Sequence, residues 1–295
     1  MNFPFVKYYK IHYLITGLLV IATIAALVVF HLNLGIDFLG GTIWEVNFES
    51  RPDNAAIRDK LAKFDLGEFS VQPTGENGVI LRMKNIDEKT HQEILSALKD
   101  LGKAEEKRFE TIGPTIGKEL RQKTILLIIV SLIALLIYIA VAFRKLKWPI
   151  AGWQYGLVSV ITLAIDVLIP LLVLILLGKF YNVQFTIPIV TALLTIVGYT
   201  MNDKVIVFDR VRENLLKTRV SSFSETVNQS LNQIFFRSLS TGACTQMVLL
   251  MIFIFGGETL KYFALTLIIG IVVGTYTSLF IASALLISWS KKFHQ

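Results

Sequence analysis

The sequence predicts an α-helical polytopic membrane protein with six transmembrane helices and one small extracytoplasmic α+β domain of ferredoxin-like βαββαβ order. Three observations carry this reading. Hydrophobic residues make up 54% of the 295 and charged residues only 17%, with a mean hydropathy of +0.61, whereas a soluble domain carries roughly 25% charged residues. Six apolar runs are each about as long as the ~20 residues that cross a bilayer. Between the first two runs, residues 34–123 turn soluble in composition, with 14 Lys and Arg against 16 Asp and Glu.

Residues 1–12 carry Lys7 and Lys10, and 13–33 form the first span. That run is long and no small-x-small cleavage site follows it, so it reads as a retained helix and not as a removed signal peptide. In 34–123, Trp44, Val46 and Phe48 alternate with Glu45 and Asn47, the pattern of a half-buried strand. Ile57, Leu61 and Phe64 share one face of a short helix entered after Pro52-Asp53. Glu68 to Gln72 and Val79 to Lys84 read as strands joined through Gly75-Glu76-Asn77-Gly78. Ile94, Leu98 and Leu101 mark a second helix starting near Asp87, and Glu106 to Ile112 supply the last strand. That succession is the ferredoxin-like pattern.

The second span is placed at 124–143, ended by Arg144-Lys145-x-Lys147, and the third at 149–178, tilted or broken near Pro170. The fourth is 185–208. Residues 209–236 read as a polar, basic cytoplasmic loop in which Ser222-Phe223-Ser224-Glu225 caps a short helix. Spans five and six are 237–255 and 261–289, and 290–295 form a tail. Lys7, Lys10, Arg144, Lys145, Lys147, Arg210, Arg212, Lys217, Arg219, Lys291 and Lys292 gather on one face, against Lys179 and Lys261 in the short links of the other. The positive-inside rule then puts both termini in the cytoplasm and 34–123 outside. Outside 34–123 the balance is 15 basic to 6 acidic residues, a membrane-face asymmetry that carries no implication of nucleic acid.

No phosphate loop, nucleophile–base pair or metal-ligand cluster is visible, so neither an enzyme nor a cofactor or metal site is expected. The lone Cys244 lies in an apolar run and reads as a packing residue.

The residues of interest sit in Gly198 to Asn214, GYTMNDKVIVFDRVREN. A charge in hydrocarbon costs at least ~2.5 kcal/mol, so Asp203 and Lys204 call for a reason. Thr191, Thr195, Tyr199 and Asn202 form a polar stripe bordering Asp203. Arg237 opens the fifth span, followed on its face by Thr241, Cys244 and Thr245, at a depth similar to Asp203. Asp203 and Arg237 together make either a carboxylate poised to take up and release a proton or an ion pair that fixes helix register. Lys204 points ~100° away from Asp203 and is expected to snorkel to the headgroups, with a role in the site as the alternative. Asp166, between Thr162 and Pro170, is a second ion-path candidate or a cap for backbone groups freed by the proline. Gly270-x-x-x-Gly274 is a close-packing face. Gly35-Ile36-Asp37-Phe38-Leu39-Gly40-Gly41-Thr42 reads as a fixed turn joining membrane and outer domain.

GIDFLGGT after the first helix and GYTMNDKVIVFDRVREN in the fourth, in this order and spacing, resemble the SecF branch of the SecD/SecF protein-export family, over nearly the whole chain. The resemblance implies a fold related to the resistance-nodulation-division transporters, with SecF and SecD supplying six helices each. It implies residence in the bacterial inner membrane and use of ion flow, a proton with sodium as the alternative, to promote preprotein translocation and release. The implied partners are SecD, the SecYEG translocon, YajC, the translocating preprotein and membrane lipids. The family's membrane Asp falls on Asp203, its helix-five Arg on Arg237, and its D-x-x-G-G element on Asp37, Gly40 and Gly41. Three positions depart from the family pattern: Lys204 replaces a small hydroxyl residue, Ile165 replaces a His before Asp166, and Gly242-Ala243-Cys244 interrupts a hydroxyl-rich start of helix five. A non-conducting assembly subunit and a small-molecule exporter subunit of the same superfamily are the alternative functions.

Overall fold

The structure, a computed structural model, describes residues 3–67, 69–142, 151–217 and 222–293, which divide into two compact units, Leu34–Leu126 and the rest of the chain. Glu68, Arg144, Lys145, Lys147, Arg219 and the expected helix limits at 143 and 149 lie outside the described residues.

In the unit Leu34–Leu126, strands β1 (Gly41–Phe48), β2 (Ser70–Thr74), β3 (Gly78–Met83) and β4 (Ala104–Ile112) form one antiparallel sheet in the order β2-β3-β1-β4. The helix Asn54–Leu61 follows β1 and the helix Glu88–Lys99 follows β3, so the chain runs strand–helix–strand–strand–helix–strand. Alternation along β1 sends Trp44, Val46 and Phe48 into one core with Ile57, Leu61, Leu81, Ile94 and Leu98, all buried. The first helix stops at Leu61, and Phe64 reaches the core from the turn beyond it. Asp87 caps the second helix by accepting the Thr90 amide at 2.9 Å, and the Thr90 hydroxyl first, then this amide, hold its carboxyl below the usual carboxylate range.

The element Gly35 to Thr42 is less a turn than one turn of helix, Ile36–Leu39, followed by two glycines with φ of +78° at Gly40 and +136° at Gly41. A Cβ on Gly40 would lie 2.9 Å from Pro114 Cα, and one on Gly41 would lie 2.8 Å from the Met83 carbonyl oxygen. Only glycine combines that backbone conformation with that approach. Gly40→Ala is therefore expected to cost ~1–2 kcal/mol from conformation alone, read as a lower unfolding temperature of the purified chain; an unchanged temperature would remove the steric account.

The other unit holds the membrane-crossing helices, apart from residues 114–126 at the start of the second. Six helices among the described residues are long and apolar enough to cross a membrane. In order they are α1 (Tyr9–Phe30), α2 (Pro114–Ala142), α3 (Gly152–Tyr181), α4 (Ile187–Lys217), α5 (Phe223–Phe255), and a last span made of α6 (Glu258–Tyr276), a π-helical turn at Thr277–Ala282, and α7 (Ser283–Phe293). Several limits differ from the sequence reading. α1 begins before residue 13. α2 begins at Pro114 and not at 124, because proline suits a first helical position. α3 runs unbroken through Pro170 to Tyr181, where Asn182 with φ +54° ends it.

The largest difference is at 209–236, expected as a loop. α4 continues to Lys217 and α5 begins at Phe223, because Val207, Phe208 and Val211 keep a buried helical stripe going against Val227, Leu231 and Ile234. Ser222 and Glu225 do form the capping box, with bonds of 3.3 and 3.1 Å. The π turn follows from a hydroxyl competing for the backbone: Ser278 donates to the Gly274 carbonyl at 2.7 Å, and Thr277 Oγ1 lies 3.1 Å from the same oxygen.

Candidate functional site

α4 is the helix around which the site is built, packed against α3, α5 and α6. Consecutive residues on a helix diverge by ~100°, so Asp203 and Lys204 address different neighbours. Asp203 faces α5 and Lys204 faces α3.

Lys204 does not snorkel. Its ammonium lies 2.5 Å from Asp166 Oδ2, and both side chains are 0% exposed. Thr277, from the π turn, donates its hydroxyl to Asp166 Oδ1. The physical reason is reach: the lysine stem spans the α3–α4 gap and meets the opposite charge of Asp166 there. A buried ion pair is tolerated when its remaining lone pairs are also bonded, and Thr277 supplies that bond. Asp166 thus spends its carboxylate on Lys204 and Thr277, and no bond to the backbone near Pro170 is among them. Thr162, one turn before it, bonds backward to the Val158 and Ser159 carbonyls.

Asp203 is half-buried. Its Oδ1 accepts the Ser238 hydroxyl at 2.8 Å, while Oδ2 is buried and meets no hydrogen-bond donor among the described residues. Tyr199, Asn202, Asp203, Ile206, Arg237, Ser238, Thr241 and Thr275 line one crevice of about 20 Å³. Arg237 is exposed at that crevice, yet among the described residues no ion pair joins it to Asp203. Ser238, one residue further on, takes the position facing Asp203 and turns Arg237 aside. Tyr199 donates its hydroxyl to the Thr241 carbonyl at 3.1 Å and lies 3.2 Å from Thr245 Oγ1, which ties α4 to α5 one turn above Asp203. Asn202 is exposed.

An unpaired buried carboxylate oxygen costs ~1–3 kcal/mol. A proton on Oδ2, or a water bonded to it, removes that cost, and a crevice of about 20 Å³ holds one water. The arrangement can therefore hold a proton or a water at Oδ2.

Gly270 and Gly274 stand against α4. A Cβ on Gly270 would enter the Ile196 side chain; one on Gly274 would enter Thr200 and lie 3.7 Å from Asp166 Oδ2. Gly274 thus makes room for the Asp166–Lys204 pair. Asp37, Gly40 and Gly41 belong to the Leu34–Leu126 unit. Two participants escaped the sequence reading, Ser238 and Thr277. Ser238 precedes Thr241 and Thr245 at helical spacing, a signal that was available; Thr277 is placed by the π turn, for which the sequence holds only a cluster of hydroxyls.

Comparison with known proteins adds to this geometry. Residues 92–292 match the family described as "Protein export membrane protein SecD/SecF, C-terminal", and residues 25–50 match the "SecD/SecF GG Motif". The protein translocase subunit SecF of Thermobaculum terrenum is 39% identical over 95% of this chain and 92% of its own. That of Escherichia coli O157:H7 is 34% identical over 94% and 85%. The crystal structure of SecDF from Thermus thermophilus, titled a translocon-associated membrane protein, superposes with a TM-score of 0.87 at 32% identity and covers 99% of this chain. The chain spans 39% of that SecDF chain.

Proposed function

The chain belongs to the SecD/SecF family of protein-export membrane proteins, as a SecF-type protein translocase subunit, and we propose that it uses the proton motive force, together with SecD, to promote translocation and release of preproteins across the inner membrane. In this reading it is not an enzyme and holds no cofactor. Its termini are cytoplasmic, and Leu34–Leu126 is an extracytoplasmic ferredoxin-like domain that meets the emerging preprotein. SecYEG and YajC are its further partners.

The observation that carries the reading is the Asp203 carboxylate, half-buried in a span, bonded on one oxygen and open on the other. Asp203 loads a proton on Oδ2 when the crevice is open to one side and releases it when the crevice is open to the other. Ser238 orients the carboxylate through its hydroxyl, and Arg237 lines the same crevice. The exposed Asn202, Arg237 and Thr241 are polar groups in spanning helices and need a protein cover; SecD is that cover.

Asp203→Asn keeps the size and the Ser238 bond but cannot titrate. In cells carrying a secretion reporter it is expected to abolish the stimulation of export that depends on the proton gradient, at normal amounts of the subunit. Unchanged export at normal amounts would take Asp203 out of the mechanism.

A further inference from the structure

The residues ahead of α1 are bound to α5. Phe3 and Asn232 exchange two hydrogen bonds: the Phe3 amide donates to Asn232 Oδ1 at 2.8 Å, and Asn232 Nδ2 donates to the Phe3 carbonyl at 3.0 Å. The rings of Phe3 and Phe5 both pack on Phe235 of α5, with centroids 5.5 and 5.3 Å away. Phe5 is buried and also meets Phe280 of the π turn, at 5.5 Å. His12 of α1 packs on Phe280 in turn, at 4.5 Å. Phe3–Phe5 is thus a strap between α5 and the last span.

Residues three apart are neighbours on a helix surface, so Asn232, Phe235 and Ser238 make one row along α5. The strap holds the first two, and the third donates to Asp203. Consecutive residues diverge by ~100°, so the rotation of α5 about its own axis decides whether Ser238 or Arg237 faces the carboxylate. We propose that Phe3, Phe5 and Asn232 set that rotation: they are positioning residues, which act on Asp203 through Ser238 and keep Arg237 aside. The inference rests on the proton-carrying reading of Asp203. Hydrogen bonds are directional where apolar burial is not, so the paired bonds to Phe3 fix the angle at which Asn232 leaves the helix. The charged groups around Asp203 are Arg237 in the same crevice and the Lys204–Asp166 pair, and the last span adds the hydroxyl of Thr275. Phe3, Phe5 and Asn232 carry no charge, so their effect on Asp203 has to pass through position.

The test follows proton uptake against external pH, with the full chain reconstituted with SecD in proteoliposomes. Ser238→Ala removes the bond to Asp203 and is expected to shift the pH profile. Asn232→Ala is expected to shift it in the same sense. The double variant is expected to lie no further from wild type than Ser238→Ala alone, because both changes act at one contact. A wild-type profile for Asn232→Ala or for Ser238→Ala, at normal amounts of the subunit, overturns the proposal. So does a double variant whose shift is the sum of the two, since the strap would then act by another route. If Asn232→Ala does not accumulate, Phe5→Leu, which keeps apolar bulk and loses the ring contacts with Phe235 and Phe280, is judged by the same results. Unchanged export by Asp203→Asn would instead remove the underlying reading, and the two failures fall on different variants and readouts.

Discussion

Replacing Lys204 by methionine is expected to destabilise the helical unit by ~3–5 kcal/mol, the cost of leaving one member of a buried ion pair without its partner. Methionine matches the stem and removes only the ammonium, so packing against α3 is kept while Asp166, 0% exposed, retains a single bond from Thr277. The measurement is the unfolding temperature of the detergent-purified chain. Adding Asp166→Leu should restore most of the loss, because two apolar groups in that place leave no uncompensated charge. The double variant then costs less than the two single changes added together, and that shortfall is the coupling between Lys204 and Asp166. A Lys204→Met chain as stable as wild type would mean that the ammonium is not seated on Asp166.

How much of this was legible in the residues depends on which force set each feature. The six spans follow from hydropathy alone, because each needs an apolar length and nothing else. The strands of the small unit and the Asp87 cap are local: Trp44, Val46 and Phe48 alternate, and Asp87 precedes a helix whose third amide it accepts. The continuation of α4 through Asp209 to Lys217 was hidden when hydropathy was used as the guide, since Arg210, Arg212 and Glu213 lower the mean. It is present in the periodicity, where Lys204, Val207, Phe208, Val211 and Asn214 mark one buried face.

The site was half legible. Helix geometry separates Asp203 from Lys204, and Asp203 does share a crevice with Arg237. The partners, however, are set by which helix lies on which side of α4, and a single sequence holds no direct signal for that order. So Lys204 reads as an anomaly until α3 is seen beside it. Arg237 likewise reads as the counter-ion of Asp203 until Ser238 is found in its place.

Gly274→Val is expected to have the second large effect, on both stability and transport. α6 and α4 approach so closely at Gly270 and Gly274 that each glycine faces a side chain of α4, Ile196 and Thr200 respectively. Branched bulk at residue 274 must push Thr200 aside or part the helices, and overpacking of this kind costs ~1–3 kcal/mol. The same displacement reaches Asp166, whose Oδ2 would lie 3.7 Å from the new Cβ, and through it the seat of Lys204. Gly17→Ala is the control, because nothing lies within 4 Å of a Cβ at that position of α1. The Gly274 variant should unfold at lower temperature and lose gradient-driven proton uptake when reconstituted with SecD, while the Gly17 variant does neither. Normal stability for Gly274→Val would mean that α4 and α6 have room to spare where the structure brings them together, and the Asp166–Lys204 pair would then not depend on their close approach.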